Sequence, residues 1–217
     1  ALRRRCRMPG GQHLTLGIDG DHVGAGGRQR QREHTGAAAQ VAWEAPSMMR
    51  PGAPSGLSLF LVEPHPGNEL GALAIWRNDS APVGLGFRGG IAEEPGGDVA
   101  GLVGLDVSGA LNSPSSSGEP QVIWWTGAGL GFGSEVVASF PLGISLGWRG
   151  TDDGVSFMPN VGGHVVLDVA SGPGDDVDID GVIDLGLDVG FDSGFMVRFG
   201  AAVGDRDALA VGVRLPR

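Results

Sequence analysis

Carboxylates at alternate positions are the first feature of this sequence that could do chemistry. Residues 176–181, DVDIDG, match the start of a calcium-binding loop, in which alternating carboxylates bind one hard cation and a glycine makes the sharp turn. The twelfth position of such a loop normally supplies a bidentate glutamate, but here it is Leu187. Because the alternation continues past the motif, the favoured interpretation is a strand whose aspartates line a lumen or rim, and a calcium site is the alternative.

Two further motifs resemble catalytic or cofactor-binding sequences only superficially. The glycine run of residues 127–133, GAGLGFG, is similar to a dinucleotide-binding fingerprint, but no helical pattern follows it. His164 shares one face of its segment with Ser156, Asn160 and Asp168, yet neighbouring residues of a single strand do not build a catalytic triad. The sequence therefore predicts a protein that is not an enzyme and has neither a cofactor nor a metal site.

A set of Asp and Arg side chains lies on one face of several alternating segments. This set is better supported as a functional group than the three motifs above. If that face is an interior, its charges persist only when they are paired, because an unpaired buried charge is strongly destabilising. One interpretation is a salt-bridged plug that holds the interior shut, and the other is a polar channel lining. The predicted lumen charge network, with one histidine included, comprises Arg88, Asp106, Arg149, His164, Asp168, Asp184, Asp188, Arg198 and Arg214.

β-Strands are the elements that would position these side chains. The clearest runs from Val177 to Phe191, where odd-numbered residues are mostly large and apolar and even-numbered residues are mostly Asp or Gly. Similar runs recur between Leu57 and Leu215, separated by short clusters of Gly, Pro, Asp, Asn and Ser, and connections this short join only antiparallel neighbours. The sequence therefore predicts an all-β fold, an antiparallel up-and-down barrel of eight to ten strands over residues 56–217.

The composition limits the classes of protein to which the chain can belong. Glycine accounts for 41 of 217 residues, which argues against long helices. A formal net charge of −10 argues against a nucleic-acid partner, and the single cysteine, Cys6, allows no internal disulfide. Residues 1–47 hold seven Arg and four acidic residues without a strand or helix period, so residues 1–55 are predicted to be disordered or non-native and dispensable for folding.

The polar face of the predicted strands indicates where the apolar face points. It carries mostly Gly, Ser and Asp with a few Arg, and the chain has no Lys, whereas a solvated sheet face is normally rich in Lys, Glu, Thr and Gln. Small residues mixed with opposite charges suit the interior of a narrow barrel, which directs the apolar face toward lipid. Aromatic residues near the predicted turns would then form an interfacial girdle, namely Phe132, Trp148, Phe157, Phe191 and Phe195.

Five segments between Glu69 and Leu215 resemble the small outer-membrane β-barrel proteins of Gram-negative-type bacteria: SAPVGLGFRGGIAE, VIWWTGAGLGFG, FPLGISLGW, DIDGVIDLGLDVGF and MVRFGAAVGDRDALAVGVRL. The resemblance implies a glycine-rich, porin-like, monomeric transmembrane protein of the cell envelope, located in the bacterial outer membrane. Its implied partners are outer-membrane lipid and the barrel assembly machinery. The expected function is structural or that of a narrow pore with a salt-bridged lumen, and a soluble or periplasmic β-barrel that binds an apolar small ligand is the alternative.

Overall fold

Strands dominate the computed structural model, which describes residues 41–43, 55–64, 69–78, 83–94, 97–113, 119–171 and 176–216. Alternation of large apolar residues with small or polar ones favours a strand because successive side chains of a strand point to opposite faces. In this part of the chain the strands are β1 (Gly56–Pro64), β2 (Gly71–Asn78), β3 (Val83–Glu93), β4 (Val99–Ala110), β5 (Gln121–Phe132), β6 (Val136–Gly147), β7 (Gly150–Asp152), β8 (Val155–Ser171), β9 (Asp176–Phe191), β10 (Met196–Gly204) and β11 (Ala208–Arg214).

All strands except the three-residue β7 form one closed antiparallel barrel. β1 closes it by pairing with β11, where Leu61 lies opposite Val211. β6 pairs directly with β8, where Leu142 lies opposite Val165, and β7 pairs with the first residues of β8. The prediction of an all-β, up-and-down antiparallel barrel with eight to ten strands is therefore confirmed, with ten long strands in the wall.

The two ends of the barrel are distinguished by the strands that begin there. We call the end where β1 begins and β11 ends the terminal mouth, and the end where β1 ends the far mouth. At the terminal mouth, Asp153 and Gly154 join β7 to β8 with φ angles of 43° and 79°. A two-residue hairpin requires such left-handed conformations, and an Asp-Gly pair adopts them readily, so these two residues favour the turn between β7 and β8.

Large apolar side chains cover the outer surface of the barrel. Phe87, Leu142 and Leu185 illustrate this belt, with exposed fractions of 50%, 58% and 51%. The outward positions of the ten long strands carry only two ionisable side chains, Glu63 and Glu93, and both lie within two residues of a strand end at the far mouth. An apolar outer belt around a polar interior is the architecture of the outer-membrane β-barrels that the sequence resembles.

The lumen is filled by inward side chains of two kinds. β1 and β2 turn Phe60, Val62, Leu73 and Ile75 inward, where they form an apolar cluster with residues of neighbouring strands. Buried polar and charged groups lie mainly on β3, β4, β6, β8, β9 and β10, with Ser58 and Arg77 contributed by β1 and β2. The interior thus combines an apolar core with several buried charges.

Three residues that precede β1 also lie inside the barrel. Val41, Ala42 and Trp43 form a helical turn and are buried. The expectation that residues 1–55 lack structure does not hold for these three, because the lumen supplies apolar and cationic partners that no local pattern reveals. The rest of that predicted segment, apart from Ser55, lies outside the described residues. Within the described ranges no helix is long and apolar enough to cross a membrane.

Candidate functional site in the barrel lumen

Asp106 is the centre of a buried group of charges on the wall formed by β2, β3 and β4. Arg77 donates a hydrogen bond to one carboxylate oxygen of Asp106 and Arg88 donates to the other. Arg77 also donates to Ser108 Oγ over 2.6 Å. A Cβ at Gly86, the position opposite on β3, would lie 2.5 Å from Asp106 Oδ2, so the glycine makes room for the carboxylate. We call Arg77, Arg88, Asp106 and Ser108 the Asp106 cluster.

Arg88 joins the Asp106 cluster to the helical turn inside the barrel. Its Nη1 donates to the carbonyl oxygen of Ala42 over 2.7 Å, and its guanidinium carbon lies 3.8 Å from the centre of the Trp43 ring. A guanidinium stacked on an indole is attracted by the ring electrons, and the attraction strengthens where water is excluded. The turn is therefore held by a charged residue of the wall as well as by apolar contact.

A second ion pair links β9 to β10. Arg198 Nε donates to Asp188 Oδ1 over 3.1 Å, and Arg198 Nη1 donates to Ser58 Oγ over 3.1 Å. The guanidinium carbon of Arg198 lies 5.4 Å from the centre of the Phe60 ring. Both charged side chains are almost fully removed from water, so each depends on the other for compensation.

His164 of β8 and Asp184 of β9 form a third buried pair. The distance between His164 Nδ1 and Asp184 Oδ2 is 2.8 Å, and the imidazole centre lies 5.2 Å from the centre of the Trp125 ring. A Cβ at Gly143 would lie 2.6 Å from the Trp125 ring and 2.7 Å from His164 Cβ, so a glycine at this position permits the contact. The structure places His164 between a carboxylate and an aromatic ring.

An arginine outside the predicted charge network bridges two strands at the far mouth. Arg206 belongs to the turn between β10 and β11, yet it is buried, and it donates to Asp168 of β8 and, over 2.8 Å, to Asp180 of β9. The backbone N–H of Asp205 donates to the carbonyl oxygen of Gly181 over 3.0 Å, which fixes the turn against β9. We call Asp168, Asp180 and Arg206 the far-mouth cluster.

Replacing Arg206 with alanine is expected to lower the free energy of unfolding by about 1.5–3 kcal/mol, because two carboxylates lose charged hydrogen-bond donors at once. Urea-induced unfolding in detergent micelles, followed by tryptophan fluorescence, measures this change. Arg149→Ala is the matched control, since Arg149 is exposed at the terminal mouth. Equal destabilisation by the two alanine variants would contradict a stabilising role for the two ion pairs of Arg206.

Two other predicted lumen residues occupy less central positions. Arg149 is exposed, and its Nε donates to Met158 Sδ over 3.2 Å. Because Met158 is buried on the inward face of β8, Arg149 lies at the exposed rim of the lumen, just beyond the end of β6 at Gly147. Arg214 is half-buried on β11, in register with Ser58 and with Met196.

The five aromatic residues predicted to form a girdle are distributed unevenly between the two mouths. Trp148, Phe157, Phe191 and Phe195 lie at the terminal mouth, and Phe132 lies at the end of β5 near the far mouth. All except Phe195 are more than a third exposed, whereas Phe195 is half-buried with its ring centre 6.3 Å from that of Phe191. The exposed rings are positioned for contact with a surrounding interface mainly at one end.

The calcium-like motif is only partly described. Asp178 and Asp180 lie on the inward face of β9, and the side chain of Asp176 lies outside the described residues. Asp180 accepts a hydrogen bond from Arg206, which gives it a cationic partner within the protein. Among the described residues no group of three or more His, Cys, Asp or Glu side chains is placed to hold a metal ion.

Comparison with known proteins gives a likeness at the level of the fold. No protein-family model matches the chain, and no curated protein matches its sequence. Among solved structures, the chain is similar to one named KdgM porin, with a TM-score of 0.41 and 10% sequence identity over 74% of this chain and 98% of that chain.

Proposed function

We propose that this protein is a non-enzymatic β-barrel of the bacterial outer membrane, either structural or a narrow pore, whose lumen is held closed by ion pairs. The observation that carries the proposal is the apolar outer belt, which has no ionisable side chain except near strand ends. Soluble monomers rarely expose continuous apolar patches of more than a few hundred square ångströms. Strands such as the twelve-residue β4, β5 and β6 are long enough to cross a bilayer at a tilt.

The buried charges support a closed lumen. Asp106 and Asp188 are fully buried, and Trp43, Trp125 and Arg206 are among the most deeply buried large side chains. A wide aqueous path would hydrate these groups, and the interior of a barrel with few strands is narrow enough for side chains to fill it. We therefore infer that the resting barrel conducts little or not at all.

A soluble barrel that binds an apolar ligand is the second candidate. Such a protein would turn its apolar face inward and leave a cavity lined by it. Here the apolar face points outward, and the lumen holds the buried ion pairs of Asp106 and Asp188. The arrangement of the two faces therefore favours lipid as the surrounding medium.

Folding of the wild-type chain from urea into detergent micelles and lipid vesicles tests the proposal. We expect a heat-modifiable band on gels, co-sedimentation with the vesicles, and almost no current in planar bilayers. A protein that stays monomeric and soluble without detergent would contradict the membrane location. Steady, large single-channel currents from the wild type would contradict the closed lumen and favour an open pore.

A further inference from the structure

The wall of the lumen has small residues at the positions that residues 41–43 contact. Val41 packs against Gly71 at the start of β2, where a Cβ on the glycine would lie 2.5 Å from Val41 Cγ2. Trp43 packs against β5, where a Cβ at Gly127 or Gly129 would lie 2.6 Å or 2.9 Å from atoms of its ring. Because Gly71 lies near the far mouth and the two β5 glycines lie deeper, the helical turn runs from the far mouth toward the middle of the barrel.

The contacts of this turn depend on the identity of the wall residues. Any side chain larger than hydrogen at Gly71 or Gly127 would meet the turn at less than van der Waals distance. On β3, two strands away from β5 in the sheet, Arg88 stacks on the Trp43 ring and donates to the carbonyl oxygen of Ala42. The hydrogen bond from Arg88 to Ala42 and the fit of the Trp43 ring against glycines indicate a specific binding site for this turn.

We propose that residues 41–43 are a plug that the chain supplies to its own barrel, and that Trp43 blocks the path past the Asp106 cluster. This inference rests on the proposed function as a membrane barrel and adds a second closing element to the ion pairs of the lumen. Removing the indole would leave a space bounded by two glycines and by the guanidinium of Arg88. Water and small ions would enter that space, because the Asp106 cluster holds two cations and one carboxylate.

An engineered disulfide tests whether residues 41–43 lie beside Gly71 in the lumen. In a Cys6→Ser background, Val41→Cys combined with Gly71→Cys is expected to form an intramolecular disulfide when the folded protein in detergent is oxidised, since the two side-chain positions are within bonding reach. The matched control is Val41→Cys with Ala72→Cys, because the neighbouring Ala72 points outward. Thiol alkylation and mass measurement distinguish the two variants. Equal crosslinking of both pairs, or of neither, would overturn the proposed position of residues 41–43 in the lumen.

Conductance tests whether the plug seals the lumen. We expect Trp43→Ala to raise the open probability in planar bilayers about tenfold over the wild type, equivalent to a loss of about 1.4 kcal/mol of plug binding. Trp76→Ala is the control, since Trp76 lies on the outer face of β2. Its open probability should equal that of the wild type. A folded Trp43→Ala variant whose open probability equals that of the wild type would overturn the proposal that Trp43 seals the lumen.

The two experiments also separate this inference from the proposed function. If the wild type failed to enter vesicles, the membrane location would be wrong, while crosslinking in detergent would still show whether residues 41–43 occupy the lumen. If the wild type entered vesicles and the disulfide did not form, the plug alone would be wrong. If Trp43→Ala failed to fold, the crosslinked pair would still decide the position of the turn.

Discussion

Leu185→Arg is expected to prevent assembly of the barrel in lipid, while Leu185→Ala still assembles. Leu185 lies near the middle of the sixteen-residue β9 and is 51% exposed on the outer surface, between Val161 of β8 and Ala201 of β10. A cation at the bilayer midplane costs about 2–4 kcal/mol on the outer face of a barrel, a large part of the stability of a small membrane protein. The fraction of heat-modifiable protein after folding into vesicles measures the effect.

Position along the same strand provides the sharpest control for Leu185→Arg. Val177 also points outward but is the second residue of β9, near the far mouth. An arginine at this depth costs about 0–1 kcal/mol because its side chain reaches water, so Val177→Arg should assemble. Asp184→Ala, which changes the inward neighbour of Leu185, should assemble as well. Equal yields from the two arginine variants would contradict a lipid-facing surface on β9.

Most of the barrel wall could be predicted from period-two alternation. On β4 and β9 the pattern also fixes the direction of individual residues, since a shift of one residue would turn every side chain to the other face. The alternation alone therefore assigns Asp106 and Asp188 to the interior. Arg77 carried the same signal, because it continues the inward alternation of Leu73 on β2.

The remaining parts of the site lacked a periodic signal. Arg206 lies in a turn, where no alternation predicts the direction of a side chain, and its two carboxylate partners lie on β8 and β9. Arg149 follows the end of β6, where alternation alone does not show whether a side chain is buried. The plug depends on glycines of β2 and β5 that are distant in the sequence, and an isolated Val-Ala-Trp segment gives no indication of its partners.

Replacing the central carboxylate of the Asp106 cluster is expected to be strongly destabilising. Asp106→Asn keeps the shape of the side chain but removes the carboxylate that binds both Arg77 and Arg88. Breaking a buried ion pair by removing one partner typically costs about 3–5 kcal/mol. Urea-induced unfolding in micelles measures the loss, and Asp98→Asn at the exposed rim is the control, with an expected change within about 0.5 kcal/mol.

A second substitution in the same cluster distinguishes charge imbalance from simple loss of packing. Arg77→Met in the Asp106→Asn background removes one of the two guanidinium groups that bound this carboxylate, while keeping an unbranched apolar stem of similar length. If charge dominates, the double variant should be more stable than Asp106→Asn alone, although it has lost one more native hydrogen-bonding side chain. If packing and hydrogen bonds dominate, the two losses should add, and the double variant should be the least stable of the series. The expected result is partial recovery, because the desolvation of a guanidinium that has lost the Asp106 carboxylate outweighs its hydrogen bond to Ser108.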